Sequence, residues 1–456
     1  MSNTLTGRFA DGILGVRYDT LPDAAIDMAR QVTLDGLAVM LAGATEPLGV
    51  GRISIAYVRD LGGAPQASVI GGGFKTSMTN AAYANGTMAH ALDFDNTWYP
   101  LNHPTSPTLP AILAIAEYHR LSGRRIIEAI AVAFEVQGRL RMAATGMETG
   151  AAFHKPGMTG TFGATAGAAR LLDLDRQQLL MALGLAGSRA GSIALNTGTM
   201  TKSSHSGHAA RMGVECALLA RLGWTAADDV FGPRGFFDTF FRGEGEPERL
   251  IEGFAAPLRM VEPGVGFKKH PSNYFTHRPI DAALALRERQ GVRPADIAAV
   301  HVRFPHFAYV DRPQPATGLD GKFSVQYTTL VALLDGEVTI DSFTNERRFA
   351  PDVAALLPRV ELEMDRSIPA DFDAMHCIVT VTLQDGRRVS ERVDRLSGWI
   401  GSPLTRDQRL KKFHSCARRV LAPTAADRVV ELVDRLDRLD DVGPLMELVR
   451  SAAPQL

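Results

Sequence analysis

The chain has 456 residues, beyond the size at which a single hydrophobic core keeps growing, so two domains are expected. Hydrophobic residues make up 45% and charged residues 22%, which excludes a disordered or fibrous chain. Lys and Arg number 49 against 50 Asp and Glu, a formal charge of -1 that excludes a global positive field for nucleic acid or an anionic membrane, so any pull on an anion has to be local.

Residues 1–18 show no basic stretch followed by a long apolar run, and no run of about 18 apolar residues occurs, so neither a secretory signal nor a spanning helix is read and a cytoplasmic location is expected. Cys216, Cys377 and Cys416 are far apart and form no C-x-x-C pair. A zinc clip, an iron–sulfur cluster and a disulfide framework all lack their parts, and each thiol is read as a small buried hydrophobe.

From about residue 21 to 224 the sequence is a succession of Ala- and Leu-rich segments with helical spacing, broken by Gly, Pro and Asn. Helices are expected over 107–119, 126–142, 163–172, 176–190 and 208–222. Several are apolar nearly all round, the pattern of helices buried in a thick bundle. The texture changes at Glu262-Pro263-Gly264-Val265-Gly266, a turn-prone boundary. Beyond it, 280–290 reads as a helix, while 300–304, 360–364, 378–383 and 388–393 alternate as strands, with Asp385-Gly386 as a hairpin signal. The chain then returns to charged helical sequence, with 409–420 and 426–436 as candidates. The fold expected is mainly α: a helical domain over 1–265, joined by 405–456, and a smaller α+β domain over 266–404.

Four stretches concentrate chemistry. In His90-Ala91-Leu92-Asp93-Phe94-Asp95-Asn96-Thr97-Trp98, helix continued through Thr97 puts Asp93 and Thr97 on one face, with His103 brought near by the next turn. Thr105 or Ser106 as N-cap with Pro107 at the first helical position is ordinary capping, which leaves Asp93, Thr97 and His103 unexplained. His154 precedes a Gly-rich entry into an Ala-rich helix, where backbone N–H groups suit an anion but the glycines themselves read as a tight turn with small residues for close helix packing; Gly-Lys-Ser/Thr is absent, so this is no nucleotide loop. Lys202 lies among small polar residues and two histidines before 208–222. Lys268 opens the second domain in Phe267-Lys268-Lys269-His270-Pro271, in a stretch that ends at His277. With no H-E-x-x-H, G-x-S-x-G or fitting G-x-G-x-x-G, metal hydrolysis, serine hydrolysis and dinucleotide redox lack their parts. What remains is acid–base chemistry on an anion. A carbon acid beside a carboxylate needs cations aimed at the developing charge, which Lys202 and Lys268 supply, and a base near neutrality, which histidine supplies.

At these residues the chain resembles the MmgE/PrpD family, through H-A-L-D-F-D-N-T at 90–97, H-P-T-S at 103–106, E-V-Q-G-R-L at 135–140, F-H-K-P at 153–156, K-S-S-H-S-G-H-A-A at 202–210, F-K-K-H-P at 267–271, T-H-R-P-I-D-A at 276–282 and K-F-S-V-Q-Y at 322–327. The resemblance covers nearly the whole chain. It implies a large helical domain with an α+β lid, a homodimer, and an active site between the domains that uses no metal or organic cofactor. Matched residue by residue, it implies Asp93, Thr97, His103, His154, Lys202 and Lys268 as the active-site set, with Tyr309 and His277 as further substrate contacts. Asp93 would orient a histidine, His103 or His154 would move the proton, and the lysines would hold a small di- or tricarboxylate. The activity expected is that of a 2-methylcitrate dehydratase-like hydro-lyase, with iminodisuccinate epimerisation or cis-aconitate decarboxylation as alternatives, and a non-catalytic carboxylate-binding protein as the reading from another class. Asn273 stands where decarboxylase-like members place a further histidine.

Overall fold

Small and aliphatic residues dominate the first half of the chain, and their segments are helices in the computed structural model, which describes residues 3–144 and 152–452. Residues 1–2 and 145–151 of the expected helical domain, and 453–456 of its C-terminal return, lie outside the described residues. The helices of this half are α1 (Leu5–Gly15), α2 (Asp23–Ala44), α3 (Val50–Leu61), α4 (Met78–Ala91), α5 (Thr105–Tyr118), α6 (Gly123–Ala143), α7 (Lys155–Leu171), α8 (Arg176–Arg189), α9 (Met200–Arg221) and α10 (Phe236–Phe241). A ribbon of β1 (Ala67–Ser68) and β2 (Lys75–Thr76) lies between α3 and α4. Among the described residues no helix is long and apolar enough to cross a membrane.

Contacts divide the chain into two units. The larger holds 95–266 together with the chain before residue 92 and after 405; the smaller holds 92–94 and 267–405. In the larger unit α4 and α7 pack on α9, and side-chain size explains how closely. A Cβ on Gly207 of α9 would sit 2.1 Å from Thr87 Oγ1 and 2.4 Å from the Tyr83 carbonyl on α4, and one on Gly213 would sit 2.3 Å from the Ala164 Cβ on α7. Only glycine at these points lets the backbones approach so far. The C-terminal end of α4, the N-terminal end of α7 and the first turns of α9 are thereby held in one neighbourhood.

Three of the helices that start earlier than expected carry residues of the polar segments. Helix α5 begins at Thr105 after a Pro104 cap, so neither Thr105 nor Ser106 is the N-cap and Pro107 is the third helical residue. Proline is tolerated throughout a first turn because those N–H groups have no intrahelical acceptor. Helix α7 begins at Lys155, with the glycines inside it rather than in a turn: a Cβ on Gly160 would meet Pro107 at 2.5 Å and one on Gly163 would meet Gln137 at 2.5 Å, so they serve close packing. Helix α9 absorbs the polar segment before His208, which puts Lys202 and His205 three apart on one helix. Helix α4, by contrast, stops at Ala91. Asp93 takes a left-handed φ of 50° and Thr97 pairs its backbone with Gly266, so the shared helical face expected for Asp93 and Thr97 does not exist.

The smaller unit contains α11 (His277–Gln290), β3 (Ile297–Phe304), α12 (Gly318–Gly321), α13 (Val325–Asp335), α14 (Asn345–Arg348), α15 (Pro351–Leu356), β4 (Val360–Met364), β5 (Cys377–Leu383) and β6 (Arg388–Val393). Its sheet has the order β4-β3-β5-β6; β3 pairs parallel with β4, and β5 is antiparallel to both β3 and β6. Gly386, with φ of 86°, turns β5 into β6. Val300, Val302 and Phe304 of β3 and Val379 and Val381 of β5 are buried at period two, as strands covered on one face require. Beyond this unit, α16 (Arg406–Ala417), α17 (Pro423–Asp434) and α18 (Gly443–Val449) complete the larger one, where α16 and α17 pack on α2. The three cysteines are buried and unpaired.

Replacing Gly207 by valine is expected to cost about 1–3 kcal/mol by overpacking. A fall in the urea midpoint of unfolding would register it; an unchanged midpoint would contradict the backbone contact between α4 and α9.

Candidate active site

The centre of the larger unit's polar cluster is a carboxylate without solvent contact. Asp95, with no exposed surface, follows the end of α4 and lies between two imidazoles. His90 Nδ1 is 3.0 Å from Asp95 Oδ1 and 3.1 Å from Oδ2, and His103 Nδ1 is 3.1 Å from Oδ2. The His90 contact is a hydrogen bond; the His103 contact has ion-pair distance without hydrogen-bond alignment. A carboxylate only accepts, so His90 carries its proton on Nδ1 and leaves Nε2 as a bare acceptor. That Nε2 is buried and has no hydrogen-bond partner among the described residues.

The turn bearing His103 is pinned from several helices. Asn102 Nδ2 donates to Thr159 Oγ1 at 2.9 Å, its Oδ1 accepts from the His103 backbone at 2.9 Å, and Gln137 Nε2 donates to the Pro104 carbonyl at 2.9 Å. Ser106 Oγ meets Ser206 Oγ at 3.1 Å, joining α5 to α9. Around this turn, Thr105 Oγ1 and Gln137 Oε1 are buried without hydrogen-bond partners among the described residues, as is the carboxamide of Asn96. Buried polar atoms are normally satisfied, so such a concentration fits a polar guest.

Two more histidines complete the cluster. His154 caps the start of α7 and its Nδ1 lies 3.0 Å from His205 Nδ1, while its ring centroid is 5.5 Å from that of His90. His90 and His103 meet edge to face at 4.6 Å. Lys202, buried one turn before His205, acts on His90, His154 and His205 alike. Burial, reinforced by Lys202, pushes His205 down to about 4 and His154 well below its ordinary value. Burial also takes His90 down to about 4 although Asp95 opposes it. Burial alone would raise Asp95, but the His103 and His90 imidazoles hold it well below the usual carboxylate range. At neutral pH the cluster therefore contains an ionised Asp95 carboxylate and neutral His90, His154 and His205 imidazoles beside Lys202 and His103, an arrangement able to move a proton and to face an anionic substrate.

His90, Asp95 and His103 are also the one trio among the described residues whose donor atoms gather within 4.8 Å, the spacing a metal ion would use. The His90 contact of 3.0 Å is a hydrogen bond and the His103 contact of 3.1 Å has ion-pair distance, so the Asp95 carboxylate already has both imidazoles as partners.

The remaining expected residues sit in the smaller unit, apart from Thr97, which is buried with its backbone paired to Gly266. Lys268 Nζ donates to the Asp93 carbonyl at 2.7 Å and to Asp93 Oδ2 at 2.8 Å, both side chains buried. The carboxylate that meets histidines is thus Asp95, and Asp93, expected to orient one, instead compensates a lysine. Two aspartates separated by one residue point apart here because the chain turns left-handed at the first. Tyr309 is 42% exposed, yet crowding around its hydroxyl, then Asp93, pushes the phenol up. His277 has no exposed surface, stacks on Tyr274 at 4.7 Å and places Nε2 3.3 Å from the Ser272 carbonyl, a packed core position. His90, Asp95, His205 and Asn102 escaped the sequence reading. The first two stood inside the H-A-L-D-F-D-N-T string, and the signal that separates them from Asp93 is where helix α4 ends.

Histidines held at about 4 stay neutral in the folded state while the unfolded chain takes up protons near 6.5. The unfolded state then binds more protons between those values, so stability should fall as pH drops from about 6.5 to 4 and level off above 6.5. Urea unfolding from pH 4 to 8 measures this, and His90→Gln should flatten the slope; a flat wild-type profile would contradict the buried neutral imidazoles.

The MmgE/PrpD N-terminal domain model matches residues 7–248 and the MmgE/PrpD C-terminal domain model matches 270–438. Among curated relatives, a cis-aconitate decarboxylase of Mus musculus is 32% identical over 468 residues, covering 100% of this chain and 95% of the relative. The Homo sapiens cis-aconitate decarboxylase is 31% identical, covering 100% and 96%. A 2-methylcitrate dehydratase of Salmonella typhimurium (strain LT2) is 28% identical over 364 residues, covering 72% of each chain. With family models over both halves and relatives spanning its full length, this chain belongs to the MmgE/PrpD family of enzymes.

Proposed function

We propose that the chain is a lyase of small polycarboxylates that works through a carbanion beside a carboxylate, with decarboxylation of cis-aconitate as its leading reaction. The observation that carries the reading is the Asp95-bridged pair of His90 and His103 in one buried cluster with Lys202. Sequence motifs alone favoured a dehydratase-like hydro-lyase; the greater identity and full coverage of the Mus musculus and Homo sapiens decarboxylases support placing cis-aconitate first.

In this reading Lys202 binds a substrate carboxylate and His103, whose side chain keeps 17% exposure where His90 keeps none, carries the reacting proton. The carboxylate on the methylene carbon leaves as carbon dioxide. Its bonding pair forms a new terminal double bond, the old double bond moves its pair to the far carbon, and that carbon takes one proton from His103, which is recharged from solvent. The trianion plus one proton becomes the methylidenesuccinate dianion and carbon dioxide. Asp95 and His90 hold His103 in place, and the neutral His154–His205 pair offers hydrogen bonds to a second carboxylate. Lys268, Thr97 and Tyr309 are proposed as further substrate contacts, with the Lys268 charge already shared by Asp93. Dehydration of 2-methylcitrate is the second reading, supported by the matched dehydratases and by neutral imidazoles suited to take a proton; there the α-proton goes to histidine and the hydroxyl leaves with a proton as water. The resemblance also supports a lid role for the 267–405 unit and a homodimer of the 49.2 kDa chain, which sedimentation would read directly.

Incubation with cis-aconitate, 2-methylcitrate, citrate and iminodisuccinate in heavy water, followed by proton NMR, separates these outcomes. Carbon dioxide release with one deuterium in methylidenesuccinate is expected. His103→Ala and Lys202→Ala should each lower kcat/KM by a factor on the order of 10²–10⁴ with little change in melting temperature. Absence of turnover and of deuterium exchange with all four acids would overturn the proposal.

A further inference from the structure

We propose that Asp35 and Lys412, a buried ion pair between α2 and α16, are positioning residues that hold the Asp95 turn and balance its charge. Lys412 Nζ lies 2.6 Å from Asp35 Oδ1, with side-chain exposures of 5% and 6%. Buried ion pairs recover little of their desolvation cost, so one placed against a polar cluster calls for a reason beyond stability. The second oxygen, Asp35 Oδ2, is buried and has no hydrogen-bond partner among the described residues.

Location supplies the reason. A Cβ on the next residue, Gly36, would lie 2.4 Å from Leu109 Cδ2 and 2.9 Å from Thr105 Cγ2, so this level of α2 touches the first turns of α5, directly after His103. The Asp35 carboxylate also faces the Asn96 backbone amide and feels the Asp95 carboxylate. Two buried carboxylates that feel each other repel, and Lys412, 2.6 Å from Asp35, offsets that repulsion. From the outer side, Arg409 acts on Asp35 as well, and Asp27, Arg30, Arg406 and Asp434 line the adjoining cavity of about 190 Å³. On the inner side Asp95 is faced by His90 and His103, and Lys202 acts on His90.

The inference rests on Asp95 as the carboxylate that orients the two histidines, and its test is read without turnover. Protein labelled with ¹⁵N-histidine, with resonances assigned through His90→Gln and His103→Gln, gives the imidazole titrations by NMR. Lys412→Met removes a positive charge and should move the midpoint of an Asp95-paired imidazole upward; Asp35→Asn leaves the lysine uncompensated and should move it downward. Each shift should be on the order of half to one pH unit, and the double variant should lie near wild type. In the cis-aconitate assay Lys412→Met should lower kcat about tenfold with KM held. Shifts of the same sign in both variants, or unmoved titrations beside a lowered melting temperature, mark the pair as merely structural and overturn the proposal. Should Lys412→Met fail to fold, Asp35→Asn decides alone, since an unshifted titration in that variant is sufficient to reject it. Failure of all four acids as substrates would refute the lyase reading while leaving the opposed titration shifts intact.

Discussion

Asp95 is an ionised carboxylate with no solvent contact, and much of the larger unit is arranged to make that possible. Removing a charge from water costs several kcal/mol unless donors and counter-charges replace the lost hydration. Here His90 donates directly, His103 stands at ion-pair distance, and the surrounding helices hold both. The same contacts set the tautomer of the site, because a carboxylate at His90 Nδ1 leaves its Nε2 as the acceptor. Charge burial, tautomer and reactivity are in this sense one constraint.

Backbone proximity delivers the rest. Helices α4, α7 and α9 approach through Gly207, Gly213 and their alanine and threonine neighbours, and the titratable residues sit at the helix ends that this packing brings together. His90 is in the last turn of α4, His154 caps α7, and Lys202 and His205 occupy the first turns of α9. A site placed on the ends of tightly packed helices is rigid, which suits chemistry that depends on cations already aimed at a developing charge. Lys268 is matched by Asp93 at 2.8 Å, and Lys202 acts on the neutral imidazoles of His154 and His205.

Membership in a family that includes both decarboxylases and dehydratases is consistent with this economy. In the proposed reading each reaction passes through charge beside a carboxylate, so Lys202 and the imidazoles would serve whether carbon dioxide or water departs. Discrimination would then fall to the groups that grip the rest of the substrate, a task suited to the Asn96, Thr105 and Gln137 atoms without hydrogen-bond partners among the described residues.

Composition and periodicity by themselves determined that the chain is mainly helical and that its four-stranded sheet follows the Pro-Gly turn near residue 263. These are local properties: alternation over 378–383 and apolar runs over 126–142 carry their own physics wherever they are placed. The motif strings likewise named His103, His154 and Lys202 from residue type alone. Tertiary structure decided what local signals cannot. Helix α4 stops at Ala91, so Asp95 rather than Asp93 reaches the histidines; the polar run before His208 is helix because α9 packs on α4 there; and the glycines after His154 lie within α7 against Pro107 and Gln137. Each turns on which backbone stands a few ångströms away, and contacts between residues far apart in sequence leave no periodic trace in the chain.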